Sequence, residues 1–107
     1  MVLDKQEALD RLGGNIDLLK MLVTKFVGDY QAIPQDINQF LAAGNTEEAL
    51  RYVHSIKGAA ANLGMHDLMQ SAKVCEDNIR ANNSLTDSEI SELDNAYQAV
   101  VSASQQL

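Results

Sequence analysis

Between Ile16 and Phe40 the apolar residues Ile16, Leu19, Val23, Phe26, Tyr30, Ile33, Ile37 and Phe40 recur in alternating steps of three and four. That spacing holds one continuous stripe on a helical face and does not fit the period of two that a half-buried strand requires. Pro34 falls inside the stripe without disturbing its phase. A proline within a helix removes one backbone hydrogen bond and its ring clashes with the preceding turn. The segment is therefore expected to kink or break near Ala32–Pro34 while both halves keep a common packed face.

The flanking residues delimit further helices. Leu3 to Leu12 reads as a short helix stopped by Gly13-Gly14, and Asn15 stands where the cap of the following helix belongs. Ala43-Gly44-Asn45 closes the long segment, with Thr46 as the expected cap of a third helix and Glu47 and Glu48 in its favourable first turn. This helix is predicted from about Glu47 to Leu63 and ends at Gly64. Its core stripe is Ala49, Val53, Ile56, Ala60 and Leu63. A fourth helix over Met65 to Ala81 buries Leu68, Ala72, Cys75 and Ile79. After the turn Asn82-Asn83-Ser84, Thr86 and Glu89 form the Thr-x-x-Glu signature of a capping box. The last helix carries the stripe Ile90, Leu93, Tyr97 and Val100. Four long amphipathic helices with short connections, and a short N-terminal helix across one end, predict an all-α antiparallel four-helix bundle. No repeat or linker divides the chain, so residues 1–107 are expected to form a single domain.

Composition narrows the function classes. A net charge of −7 supplies no basic face for nucleic acid and none for an anionic membrane surface. No apolar run has the length of a membrane span, and the N-terminus lacks the basic start and apolar stretch of a signal peptide. The expected location is cytoplasmic, which includes the cytoplasmic end of a membrane-anchored protein. The lone Cys75 excludes an intramolecular disulfide and a thiolate cluster, and is expected to pack as a small hydrophobe. Met21, Met65 and Met69 read as apolar filling. No metal site is expected: His54, His66 and Cys75 match no familiar ligand spacing, and His66 reads as a surface or capping residue.

The third helix carries the chemistry. At about 100° per residue, His54 lies roughly 140° from the centre of the core stripe, Ala61 about 120°, Leu50 about 100° and Lys57 about 80°. Gly58 points almost directly outward. A helix-interior glycine costs about 1 kcal/mol relative to alanine, so a bare position beside an exposed histidine marks a surface that another molecule approaches closely. Histidine is a competent covalent nucleophile, and Lys57 can offset the charge of an arriving phosphoryl group. Leu50, Arg51, Gly58 and Ala61 form the expected docking rim.

The motif His54-x-x-Lys57-Gly58, with Gly64 beyond it, resembles the signature of histidine phosphotransfer (HPt) domains of multistep phosphorelays. The similarity extends to Ala8–Asn15, to Phe26 with Asp29-Tyr30, to Ala42–Asn45, to Asn62-Leu63-Gly64, and to Leu68, Ala72 and Glu76. It implies a helical bundle in which His54 exchanges a phosphoryl group with aspartates of response-regulator receiver domains. Lys57 is then the charge partner and Gly58 opens the approach. It also implies no cofactor in this domain, with Mg2+ supplied by the receiver, and it admits a sensor kinase in the same chain. The chain holds neither the glycine-rich boxes of a kinase nor a Walker-type loop, so a phosphocarrier rather than a self-charging enzyme is expected. A monomer satisfies this chemistry. The alternative is a helical adaptor that docks receiver-like partners without being phosphorylated. An acyl carrier would need a serine at a helix start in an Asp-Ser-Leu context, whereas Asp87-Ser88-Glu89 belongs to the capping box. Glu76 is read as structural.

Overall fold

The computed structural model describes residues 1–107 and contains six helices: α1 (Lys5–Arg11), α2 (Ile16–Asp29), α3 (Ile33–Ala42), α4 (Thr46–Asn62), α5 (His66–Arg80) and α6 (Asp87–Ser104). The fold is an all-α helical bundle. Of the expected kink or break in the second segment, the structure has a break that gives two helices. The chain leaves α2 at Asp29 and turns through Tyr30 to Ala32, and Pro34 then lies in the first turn of α3. There its missing N–H has no helical partner to lose and its fixed φ suits the helix. The apolar phase survives the break, because Leu19, Val23 and Phe26 on α2 and Ile33 and Ile37 on α3 are all buried.

Helix α4 packs along α5, α5 on α6, α6 on both α2 and α3, and α3 back on α4, while α1 rests on α2. This closed ring surrounds one apolar cluster of 20 residues. All of Ala49, Val53, Ile56, Ala60 and Leu63 belong to it, as do Leu68, Ala72, Cys75 and Ile79 on α5 and Ile90, Leu93, Tyr97 and Val100 on α6. Met65 is buried, whereas Met21 is 62% exposed and fills no core. The chain's five aromatic residues form one connected cluster around the α2–α3 break. In it Tyr30 meets Tyr52 edge-on at 5.6 Å and Phe40 meets Tyr52 at 5.7 Å. Tyr52 donates to Asp36 Oδ2 at 2.9 Å, and Tyr97 donates to the Val27 carbonyl. Burial, then the hydrogen bond and charge of Asp36, push the Tyr52 phenol up.

The ends of the helices follow side-chain capping. Asn15 accepts from the Leu18 amide at 3.0 Å, and both halves of the Thr86–Glu89 box are formed. At α4 the cap is Asn45, which accepts from the Glu48 amide at 3.3 Å, so the expected cap at Thr46 lies one residue inside the helix. Burial and the charges of Glu89 and Glu92 push the Cys75 thiol up to about 11, which makes it a packing residue and not a reactive one.

The corner between α4 and α5 demands glycine. Gly64 has φ +70°, and a Cβ there would lie 2.5 Å from the Asp4 carbonyl oxygen. The Asp4 amide donates to the Gly64 carbonyl at 2.7 Å, which brings the N-terminal segment against this corner. Gly44 has the same φ of +70° but open space around the missing Cβ. Gly44→Ala should therefore cost only the left-handed backbone term, roughly 1–2 kcal/mol. Gly64→Ala should cost distinctly more, because the Asp4 backbone must also move. Urea denaturation of the two variants measures the difference, and equal losses would contradict the close approach.

Candidate functional site

Helix α4 turns its stripe of small and branched residues inward, and this rotation carries His54 to the surface, with its side chain 58% exposed. Its partner comes from α5. The periodicity that buries Leu68, Ala72, Cys75 and Ile79 also brings Glu76 to the α4–α5 seam, where it is 4% exposed. Glu76 Oε2 lies 2.5 Å from His54 Nδ1, and Oε1 accepts from Lys57 Nζ at 2.7 Å. The Arg80 guanidinium stands 3.8 Å from Oε1. One buried carboxylate thus holds both His54 and Lys57 of α4. Its surroundings are the two polar side chains of α4 and not apolar packing alone.

Burial pushes the Glu76 carboxyl up, but the hydrogen bonds from Lys57 and His54 and their charges outweigh it and hold the group below the ordinary glutamate value. Ionised, it can only accept hydrogen bonds. Its contact with His54 therefore selects the Nδ1–H tautomer and leaves the Nε2 lone pair pointing away from the seam. A histidine fixed in this way presents one defined nucleophilic atom.

The other expected residues differ in their surroundings. Gly58 is half-buried rather than fully outward, yet a Cβ built on it would meet nothing within 4 Å. No packing within this molecule requires glycine there. Lys57 is 28% exposed and directs its ammonium to Glu76, which keeps it beside His54. Leu50 is half-buried against the core. Arg51 is exposed and paired with Glu48 at 2.5 Å within its own helix. The Ala61 carbonyl accepts from Arg11 at 2.7 Å, so α1 is fastened to the same helix. No hydrogen bond or ion pair joins Leu50, Arg51, Gly58 or Ala61 to His54.

The surface around His54 is not a pocket. Five depressions exist, and neither His54, Lys57, Gly58 nor Glu76 lines any of them. Small-molecule sites are usually concave and enclose most of their ligand. An exposed nucleophile on an open helix face suits a reacting group delivered by another macromolecule.

His66 does not act as a helix cap. It opens α5, and its Nε2 lies 2.5 Å from Glu7 Oε2 on α1. No helix is long and apolar enough to cross a membrane. Comparison with known families finds that the Hpt domain model matches residues 21–103, from α2 through nearly all of α6. No curated protein and no solved structure matches significantly.

The depressed Glu76 pKa makes stability depend on pH in one direction. A carboxylate whose folded pKa is lowered contributes stability that is present above its unfolded pKa and lost as pH falls through the folded one. Glu76→Gln should therefore be less stable than the parent at neutral pH, with the gap narrowing once pH drops below about 4.3. Urea titrations at pH 7, 5, 4 and 3 test this. A gap unchanged down to pH 3 would show that Glu76 is not held as an ion.

Proposed function

Because the chain belongs to the Hpt domain family, we propose that His54 is the residue on which the phosphoryl group travels. Hpt domains relay phosphoryl groups in two-component signalling and carry no ATP-binding kinase site of their own. The observation that supports His54 most directly is the Glu76 bridge, which leaves Nε2 exposed and Nδ1 occupied. We read residues 1–107 as one such domain. The α2–α3 arm, α4, α5 and α6 supply the four sides of its bundle, and α1 lies across it.

In this reading Nε2 attacks the phosphorus of an aspartyl phosphate on a receiver domain. The N–P bond forms as the P–O bond to the aspartyl oxygen breaks, and the carboxylate leaves with that electron pair. The ring keeps its Nδ1 proton and becomes cationic. Glu76, already ionised beside Nδ1, offsets that charge without any proton leaving the site. Reverse transfer to a second receiver follows the same path. Phosphoryl transfer depends mainly on alignment and charge neutralisation, and the Mg2+ that contributes to both belongs to the receiver. Lys57 adds positive charge at the flank. Leu50, Arg51, Gly58 and Ala61 form the rim that the receiver covers. A monomer suffices, and the acidic surface leaves nucleic acid and anionic membranes outside the set of partners. Such a module works in the cytoplasm, free or joined to a sensor kinase.

His54→Gln should abolish label uptake from a phosphorylated receiver while leaving the fold intact. Retention of normal stoichiometry would assign the phosphate elsewhere. If no receiver in a panel labels the folded parent, the adaptor reading replaces this one.

Gly58→Ala separates docking from folding. A methyl in open space on a helix interior should raise stability by up to about 1 kcal/mol, yet slow phosphotransfer by obstructing the receiver. Stopped-flow transfer rates and urea midpoints on the same variant test both halves, and an unchanged rate would remove Gly58 from the interface.

A further inference from the structure

Away from His54, three metal-ligating side chains converge where the N-terminal segment meets the α4–α5 corner. Asp4, Glu7 and His66 each direct one donor atom to a common point, with all three atoms within 4.8 Å of one another. His66 Nε2 is 2.5 Å from Glu7 Oε2 and 3.9 Å from Asp4 Oδ2. We propose that Asp4, Glu7 and His66 form a zinc-class divalent cation site that cross-links the N-terminal segment to α5.

The geometry carries this beyond a cluster of surface charges. The donors come from segments separated by 59 residues in sequence. They are brought together by backbone contacts: the Asp4 amide donates to the Gly64 carbonyl at 2.7 Å and the Asp67 amide to the Met1 carbonyl at 3.0 Å. Each carboxylate is also held by its other oxygen. Asp4 Oδ1 accepts from the Glu7 amide at 3.1 Å, and Glu7 Oε1 pairs with Arg11 at 2.9 Å. The free oxygens are therefore oriented toward His66 by a supporting shell of the kind that raises metal affinity.

All three side chains are roughly one-third exposed, which leaves room for water as a fourth ligand. Zinc bonds of about 2.0–2.2 Å to nitrogen and oxygen place tetrahedral donors roughly 3.3 Å apart. The observed 2.5 and 3.9 Å bracket that spacing and the remaining pair lies within 4.8 Å, so side-chain rotations on the order of 1 Å complete the site. An imidazole nitrogen with two carboxylates favours zinc or a neighbouring transition ion over magnesium. On binding, Nε2 offers its lone pair to the ion, so the neutral imidazole carries its one proton on Nδ1. Asp4 and Glu7 precede the residues matched by the family model.

Calorimetry with zinc chloride alone tests the proposal. One equivalent should bind to the parent and equally to His54→Gln, which removes the other histidine. His66→Gln and Glu7→Gln should each weaken binding by at least the 10–100-fold that a lost supporting partner costs, with helicity checked by circular dichroism. Because Glu7→Gln keeps the shape of the side chain, it tests the site even if His66→Gln disturbs the corner. Zinc should also raise the melting temperature of the parent but not of the two site variants. Absence of saturable binding, loss of binding in His54→Gln, equal affinity in His66→Gln, or equally tight magnesium binding would each overturn it.

Discussion

A carboxylate buried to 4% exposure between two helices is tolerable only if it is paired, and Glu76 meets that condition with two residues of the facing helix. The pairing constrains more than its own charge. Reaching both His54 and Lys57, three residues apart on α4, requires the α4–α5 register to be correct to within a fraction of a helical turn. That register is in turn set by the interlocking apolar stripes of the two helices. Packing and site are therefore one arrangement: a slip that spoiled the stripes would also leave Glu76 buried without partners.

A similar coupling of sequence phase to packing appears at the break between α2 and α3. Pro34 prevents the second arm from being one helix, and the break would weaken the fold if its two pieces packed independently. They do not, because the apolar phase continues across Tyr30–Ala32 and the five aromatic side chains gather around the interruption. Tyr52 and Tyr97 each bury an aromatic body there while the hydroxyl donates to a defined acceptor, Asp36 and the Val27 carbonyl. Aromatic residues combine large apolar area with a polar handle, so the break becomes a packed joint linking α2, α3, α4 and α6.

Features set by local periodicity were legible in the sequence. The α4 stripe from Ala49 to Leu63, the Thr86–Glu89 capping box and the exposure of His54 all follow from residues within a few turns of each other, and all are present. Features that depend on which helices become neighbours were not. Glu76 meets Lys57 and His54 across separations of 19 and 22 residues, and His66 meets Glu7 across 59. No spacing rule within one helix announces such pairs. A glutamate at the position of the buried stripe on α5 was the available signal, since an acidic residue among Ala72, Cys75 and Ile79 must find a cation. The shift from Thr46 to Asn45 as the α4 cap is a smaller matter, because two capping residues stand side by side and only the backbone decides between them.

With His54 as the proposed carrier, the arrangement around it explains why so few groups suffice. An enzyme that must activate both a nucleophile and a leaving group surrounds its substrate. A carrier faces milder demands, since it need only present a nucleophile of fixed tautomer, tolerate a transient positive ring and let a large partner approach. The buried carboxylate meets the first two with a single interaction, and the open space over Gly58 meets the third. Standing alone, the buried carboxylate would set a negative field beside an arriving phosphoryl group. Lys57, drawn down to Glu76, moderates that field. In that proposed role, an exposed imidazole backed by a carboxylate shared with an ammonium can both accept a phosphoryl group and release it, as reversible relay requires.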